Sequence, residues 1–179
     1  MVVRQCDWLI PSMTLFKAAT YLSLVVILLI ASCTVPSAKD ANAAKAHFDQ
    51  GKAFFYEKEY GKAIKEYGKA IGLKPDYAEA YSSRAWAHYY SSGNSKAIED
   101  FSRAISLDPK NPEYYYWRGF PYAHMRKWDK AIKDYNQAIK LKPDLAGAYY
   151  NRGIANKVLG NNAEAKADMN KGRELGFQD

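Results

Sequence analysis

AIKEYGKAIGLKPD at residues 63–76 returns as AIEDFSRAISLDPK at 97–110 and again, after the same interval, as AIKDYNQAIKLKPD at 131–144. Within the copies a small residue (Ala63, Ala97, Ala131) is followed four places on by an aromatic one (Tyr67, Phe101, Tyr135), then by a second alanine (Ala70, Ala104, Ala138). Offsets of 0, 4, 7 and 8 lie on one face of a helix, and Ile64, Ile98 and Ile132 widen that face. Proline then closes each copy, at Pro75, Pro109 and Pro143. Leu175-Gly176-Phe177-Gln178 is a fourth, degraded ending.

With the proline at position 32 of the period, the chain divides into 44–77, 78–111, 112–145 and 146–179. The first half of each unit carries its own signature. Position 4 is aromatic in three units (Tyr81, Tyr115, Tyr149), and position 8 is small in all four (Gly51, Ala85, Gly119, Gly153). Small residues on one helix facing large ones on its partner predict a closely packed helix pair. Asp76 before Glu79 has capping-box spacing, and Asn111-Pro112 places an N-cap before proline at the first helical position. In the last unit Lys166 and Arg173 replace isoleucines, the polar outer face that a terminal repeat needs.

These residues resemble the tetratricopeptide repeat, over residues 44–179. The resemblance implies an all-α superhelix of four helix-turn-helix repeats, eight helices in a right-handed solenoid, the last pair acting as a cap. Two departures stand out. Position 7 is Gln50, Arg84, Arg118 or Arg152 where the family has leucine, and position 4 of the first copy is His47; both are expected to soften individual contacts. Pro121 falls inside the first helix of the third repeat, removes the bond to the Trp117 carbonyl and predicts a kink.

In this family positions 2, 5, 9, 12 and 13 of the first helices line a concave groove. Carried onto this sequence, those positions include Phe48, Lys52, Phe55, Trp86, Tyr89, Tyr90, Tyr116, Phe120, His124 and Tyr150. An exposed set so rich in aromatics reads as a partner-binding groove centred on Trp86, Tyr89, Tyr116 and Phe120, since aromatic anchors dominate interface energies. The competing reading packs part of the set between repeats. Relatives that clamp a C-terminal carboxylate use cations and asparagines where this chain has Phe48, Lys52, Ser83, Glu113 and Trp117. Such a clamp is not expected.

The chain of 179 residues is 48% hydrophobic, enough to bury a core. Its net charge of +7 is largely interspersed, as on solvated helix faces. Both cysteines, Cys6 and Cys33, precede the repeats, which rules out a disulfide scaffold. His47, His88 and His124 are spread over separate repeats, and no metalloprotease, phosphate-loop or cysteine-nucleophile pattern occurs. No catalytic residue, metal or cofactor is expected.

Before the repeats, Ala18 to Ala38 carries no charge and Tyr21 to Ile30 is almost wholly apolar. That core is short for a transmembrane helix and right for an export signal. Ile30-Ala31-Ser32-Cys33 resembles the lipobox of bacterial lipoproteins, which implies a signal at 1–32, a diacylglyceryl group on Cys33 and a tether over 33–43. An uncleaved anchor helix and simple cleavage without lipid are the alternatives, and all three send the repeats outward. A start at Met13 gives a signal of ordinary length. Thr34 after the cysteine, in place of aspartate, fits outer-membrane sorting as in enteric lipoproteins. The resulting expectation is a membrane-tethered adaptor of the bacterial cell envelope, facing the periplasm or exterior, that binds a protein or peptide and no nucleic acid. Its rivals are a wall-glycan binder stacking sugars on Trp86 and Tyr116, and a structural subunit of a larger complex.

Overall fold

The computed structural model describes residues 38–178. Among them are eight α-helices and no strand: α1 (Ala38–Tyr56), α2 (Tyr60–Leu73), α3 (Ala78–Tyr90), α4 (Asn94–Leu107), α5 (Pro112–His124), α6 (Trp128–Leu141), α7 (Ala146–Val158) and α8 (Asn162–Glu174). Each helix packs on the next along the chain, with a smaller contact between α1 and α3. This is the four-repeat solenoid that the period predicts, each repeat burying its neighbour's flank.

The large-against-small pairing holds in every repeat. Tyr67, Phe101 and Tyr135 are buried, and a methyl group added to Gly51 would stand 2.7 Å from the Tyr67 ring. Gly119 faces Tyr135 more tightly still, and Gly153 faces Met169, whose Cγ would lie 2.7 Å from such a methyl. Only repeat 2 has alanine at this place, and its partner is the smaller Phe101. Burying each ring stabilises the pair by about 2–3 kcal/mol, which close approach of the two backbones makes possible.

Turns repeat as faithfully as helices. Lys58, Ser92, Arg126 and Gly160, all at position 15, adopt positive φ after the first helix of their repeats. The next residue's N–H then bonds five residues back, as from Gly93 to the His88 carbonyl at 2.7 Å and from Lys127 to Tyr122 at 2.9 Å. This is a Schellman closure, in which the left-handed residue lets the chain satisfy two terminal carbonyls.

Some details depart from the sequence reading. α1 begins at Ala38, so residues 38–43, read as tether, are helical. Their alanine-rich composition favours helix, and Asp40 lies in the first turn, where the helix dipole favours a carboxylate. Asp76 and Glu79 do not form a capping box. The N-cap of α3 is Tyr77, whose phenol is too far from the backbone to cap and whose ring packs on Phe48, 5.0 Å between centroids. Asn111 does cap α5, its Oδ1 accepting from the Glu113 N–H at 3.0 Å. α5 runs unbroken through Pro121, whose ring is fully buried.

The arginines at position 7 do not soften the packing. Arg84 binds both oxygens of Asp100 at 2.7 Å, Arg118 both of Asp134 at 2.8 Å, and Arg152 those of Asp168 at 2.8 and 2.6 Å. Each fork ties the first helix of a repeat to its second, and the carboxylates are buried. The position-4 tyrosines lie against these guanidinium groups, 5.5 Å for Tyr81 on Arg84 and 5.4 Å for Tyr149 on Arg152. A remaining nitrogen reaches the preceding repeat, from Arg118 to Ser102 Oγ at 2.9 Å and from Arg152 to Asn136 Oδ1 at 2.6 Å. The forks therefore form a ladder between repeats, which fits the planar, five-donor geometry of arginine.

Candidate partner-binding groove

Positions 5, 9, 12 and 13 of the first helices recur once per repeat and so fall on one side of the stack. From repeat 1 to repeat 3 they carry rings in contact, joined by Tyr60 from the start of α2. Tyr60 stacks on Tyr90 (5.4 Å, 16°), Tyr90 on Trp86 (5.8 Å, 28°), Trp86 meets Phe120 (5.6 Å) and Phe120 meets Tyr116 (5.0 Å). Phe55 joins at Tyr60 and Tyr90, and Tyr89 joins at Trp86 and His124. Behind this ribbon, buried Phe101 supports Trp86 at 5.7 Å.

Rings held against one another lose little further entropy when a partner settles on them. Burial pushes the Tyr89 and Tyr116 hydroxyls above their ordinary pKa, and Tyr116 accepts a bond from Asn151 Nδ2 at 3.1 Å, which ties repeat 3 to repeat 4. His124 pairs with Asn94 Nδ2 at 3.0 Å, so its ring is positioned from the neighbouring repeat.

The structure places Lys52, Phe55, Trp86, Tyr89, Tyr90, Tyr116, Phe120 and His124 along this side, partly or largely exposed. Phe48 and Tyr150 differ. Phe48 is buried against Tyr67 and Tyr77 and reaches the groove only as the floor of a hollow. Tyr150 stacks on Phe177 at 4.3 Å and carries the Arg173 guanidinium on its ring, so it is engaged in closing the last repeat.

Sequence reasoning missed Tyr56, Ile154, Val158 and Leu159. With Tyr90 they are the exposed large hydrophobics among the described residues, Tyr56 at 78% and Val158 at 51%. All five lie at positions 9, 13 or 14 of a repeat. The signal was available, because Ile154 and Val158 occupy the positions of Trp86 and Tyr90, but the search for aromatic anchors passed over aliphatic ones.

Two hollows open beside Trp86. One, of about 250 Å³, lies between α1 and α3 over Phe48, with Lys52 and Glu79 at its sides. The other, of about 420 Å³, lies between α3 and α5. Glu113 and Trp117, where a carboxylate clamp would need cations, line the second. No cluster of three His, Cys, Asp or Glu side chains fit to hold a metal, and no helix long and apolar enough to cross a membrane, occurs among the described residues. The apolar run at 21–30 and Cys33 lie outside them.

A family model described as the TPR repeat matches residues 51–91, 88–125 and 126–160. No curated protein sequence matches. Among solved structures, the crystal structure of MamA is 30% identical with a TM-score of 0.71, covering 75% of this chain and 78% of its own. The TPR domain of OM64 from Arabidopsis is 26% identical with a TM-score of 0.63, covering 66% and 98%. The first TPR of Spaghetti (RPAP3), solved with the HSP90 peptide SRMEEVD, is 23% identical, with a TM-score of 0.65 and coverage of 67% and 95%; at that identity it shows likeness of fold alone. Repeats in phase over more than half of the residues, paired helices closed by one large-against-small contact and the matching family model lead to one conclusion: this chain belongs to the TPR repeat family.

Proposed function

We propose that the protein is a membrane-tethered, extracytoplasmic TPR adaptor that holds a segment of a partner protein along the aromatic side of its first helices. One observation carries the reading. Among the described residues, four of the five exposed large hydrophobics, Tyr56, Tyr90, Ile154 and Val158, occupy positions 9 and 13 of their repeats, which the ring ribbon also uses, and apolar area left in water calls for a partner. The peptide in the Spaghetti structure, a neighbour in fold, shows what such a solenoid can do and lends the reading class-level support. The tether rests on the apolar run and on Ile30-Ala31-Ser32-Cys33, read as a lipoprotein signal of the bacterial envelope. Two acyl chains on Cys33 would make attachment stable where one is marginal.

The adaptor reading is tested by cross-linking in intact cells, followed by pull-down from solubilised membranes. Trp86→Ala with Phe120→Ala removes the anchors, and Tyr90→Ser with Val158→Ser strips side chains that are about half exposed. A defined partner present with the wild type and lost with both variants supports the groove; equal recovery rejects it. For the tether, an alkynyl fatty acid fed to cells should label the wild type and not Cys33→Ala. Absence of label on the wild type rejects lipidation and leaves the anchor helix or simple cleavage.

A further inference from the structure

The hollow between α3 and α5 has walls of one electrostatic character. Trp86, Tyr114 and Trp117 supply its aromatic surface, and Glu79 and Glu113 supply its charges. Among the described residues no lysine, arginine or histidine lines it. The indoles of Trp86 and Trp117 stand 6.1 Å apart at 67°, and Tyr114 packs on Trp117 at 6.0 Å, so the three rings make one continuous aromatic wall. Glu79 has no ion pair among the described residues, and Glu113 has only Lys142, at 3.9 Å.

Aromatic faces attract cations through their quadrupoles, and paired carboxylates accept charge-assisted hydrogen bonds from guanidinium or ammonium groups. A hollow of about 420 Å³ holds one long side chain with room to spare. An anionic side chain there would face two carboxylates, with Lys142, 3.9 Å from Glu113, the one cation paired to either among the described residues.

We infer that this hollow receives an arginine or lysine side chain of the bound partner segment. The inference rests on the groove reading above and names the chemistry of its ligand. The neighbouring hollow sets what lies beside that residue. Glu79, Ser83 and Trp86 form the shared wall, and beyond it Phe48, Phe55 and Tyr56 offer an apolar space with Lys52 at the edge. Lys52 lies over the Phe48 ring at 5.6 Å and repels a second cation. An apolar residue adjacent to the basic one therefore fits both hollows at once, the opposite polarity to a segment recognised by a terminal carboxylate.

The test uses the full chain in detergent micelles and an array of heptapeptides, N-acetylated and C-amidated so that side chains supply the only charges. Retained peptides should carry arginine or lysine next to an apolar residue. Replacing that arginine by citrulline, which keeps the shape and loses the charge, should weaken binding by about tenfold or more. Glu79→Gln with Glu113→Gln should bring the arginine peptide to the level of the citrulline one and leave the citrulline peptide unchanged. Glu113→Lys should shift selection toward acidic peptides. Equal binding of the arginine and citrulline forms, selection of acidic or purely apolar peptides by the wild type, or no retention at all overturns the inference. Purely apolar peptides whose binding falls with Tyr90→Ser and Val158→Ser would overturn it while leaving the groove reading intact.

Discussion

Repeat 1 and repeat 3 close the same pair of helices with different chemistry. In repeat 3 a permanent cation, Arg118, grips both oxygens of Asp134, and the side chains are 19% and 6% exposed. Repeat 1 has Gln50 in place of the arginine, and its buried carboxylate, Glu66, is met by His47 at 2.7 Å and by Lys69 at 2.7 Å, which are 33% and 56% exposed. One fold position thus tolerates two electrostatic solutions. The dry fork fixes geometry and reaches the preceding repeat, whereas the wetter triad can rearrange. Arginine hydrogen bonds thus tie repeat 3 to repeat 2 and repeat 4 to repeat 3.

Truncating the two carboxylates should separate these solutions most widely. Asp134→Ala should cost about 3 kcal/mol, because Arg118 is left largely buried without its counter-ion. Glu66→Ala should cost about 1 kcal/mol, since Lys69 and His47 can turn to water. Chemical denaturation of both variants checks this, and equal losses would erase the distinction. Next comes Gly119→Ala, whose methyl overlaps the Tyr135 ring. It should cost about 2 kcal/mol after the helix-propensity gain. Gly51→Ala, with slightly more room against Tyr67, should cost less on the same melting assay.

Acid titration probes the contrast from another side. Hydrogen bonding from Lys69, then from His47, holds the Glu66 carboxyl below its ordinary value of 4.5. Between that value and the lower folded one the unfolded chain binds the extra proton, so the contribution of Glu66 is complete above 4.5 and fades as pH falls through the folded pKa. Glu66→Gln should flatten the acid limb of a plot of Tm against pH below about 4.5; an unchanged limb would remove Glu66 from the account. The smallest effect is expected at position 15. Arg126 is exposed and holds a φ of 57°. Left-handed backbone suits glycine better, so Arg126→Gly should stabilise by several tenths of a kcal/mol, measurable as a rise in denaturation midpoint.

Much of this molecule was legible in the period alone. Ala63, Tyr67 and Ala70, and their equivalents in later copies, announced the second helices, and Gly51, Gly119 and Gly153 announced where the first helices come close. Those contacts lie within one repeat, between faces set by helical spacing, so the residue types alone define them. The Arg84, Arg118 and Arg152 forks were visible only as departures, although an aspartate stands 16 residues after each. A charge on a helix reads as solvated until the opposing helix is in place.

The order of residues was enough to set the repeat, the register of its helices and the face that carries the rings. Which of those rings stay open to a partner was settled only by packing in three dimensions. Phe48 and Tyr116 share position 5, yet Phe48 is sealed under Tyr67 and Tyr77 while Tyr116 flanks the groove, and Tyr150 at the same position is taken by Phe177. Helical periodicity fixes a side chain's direction, whereas its exposure depends on the size of what the adjoining turn or terminus lays across it.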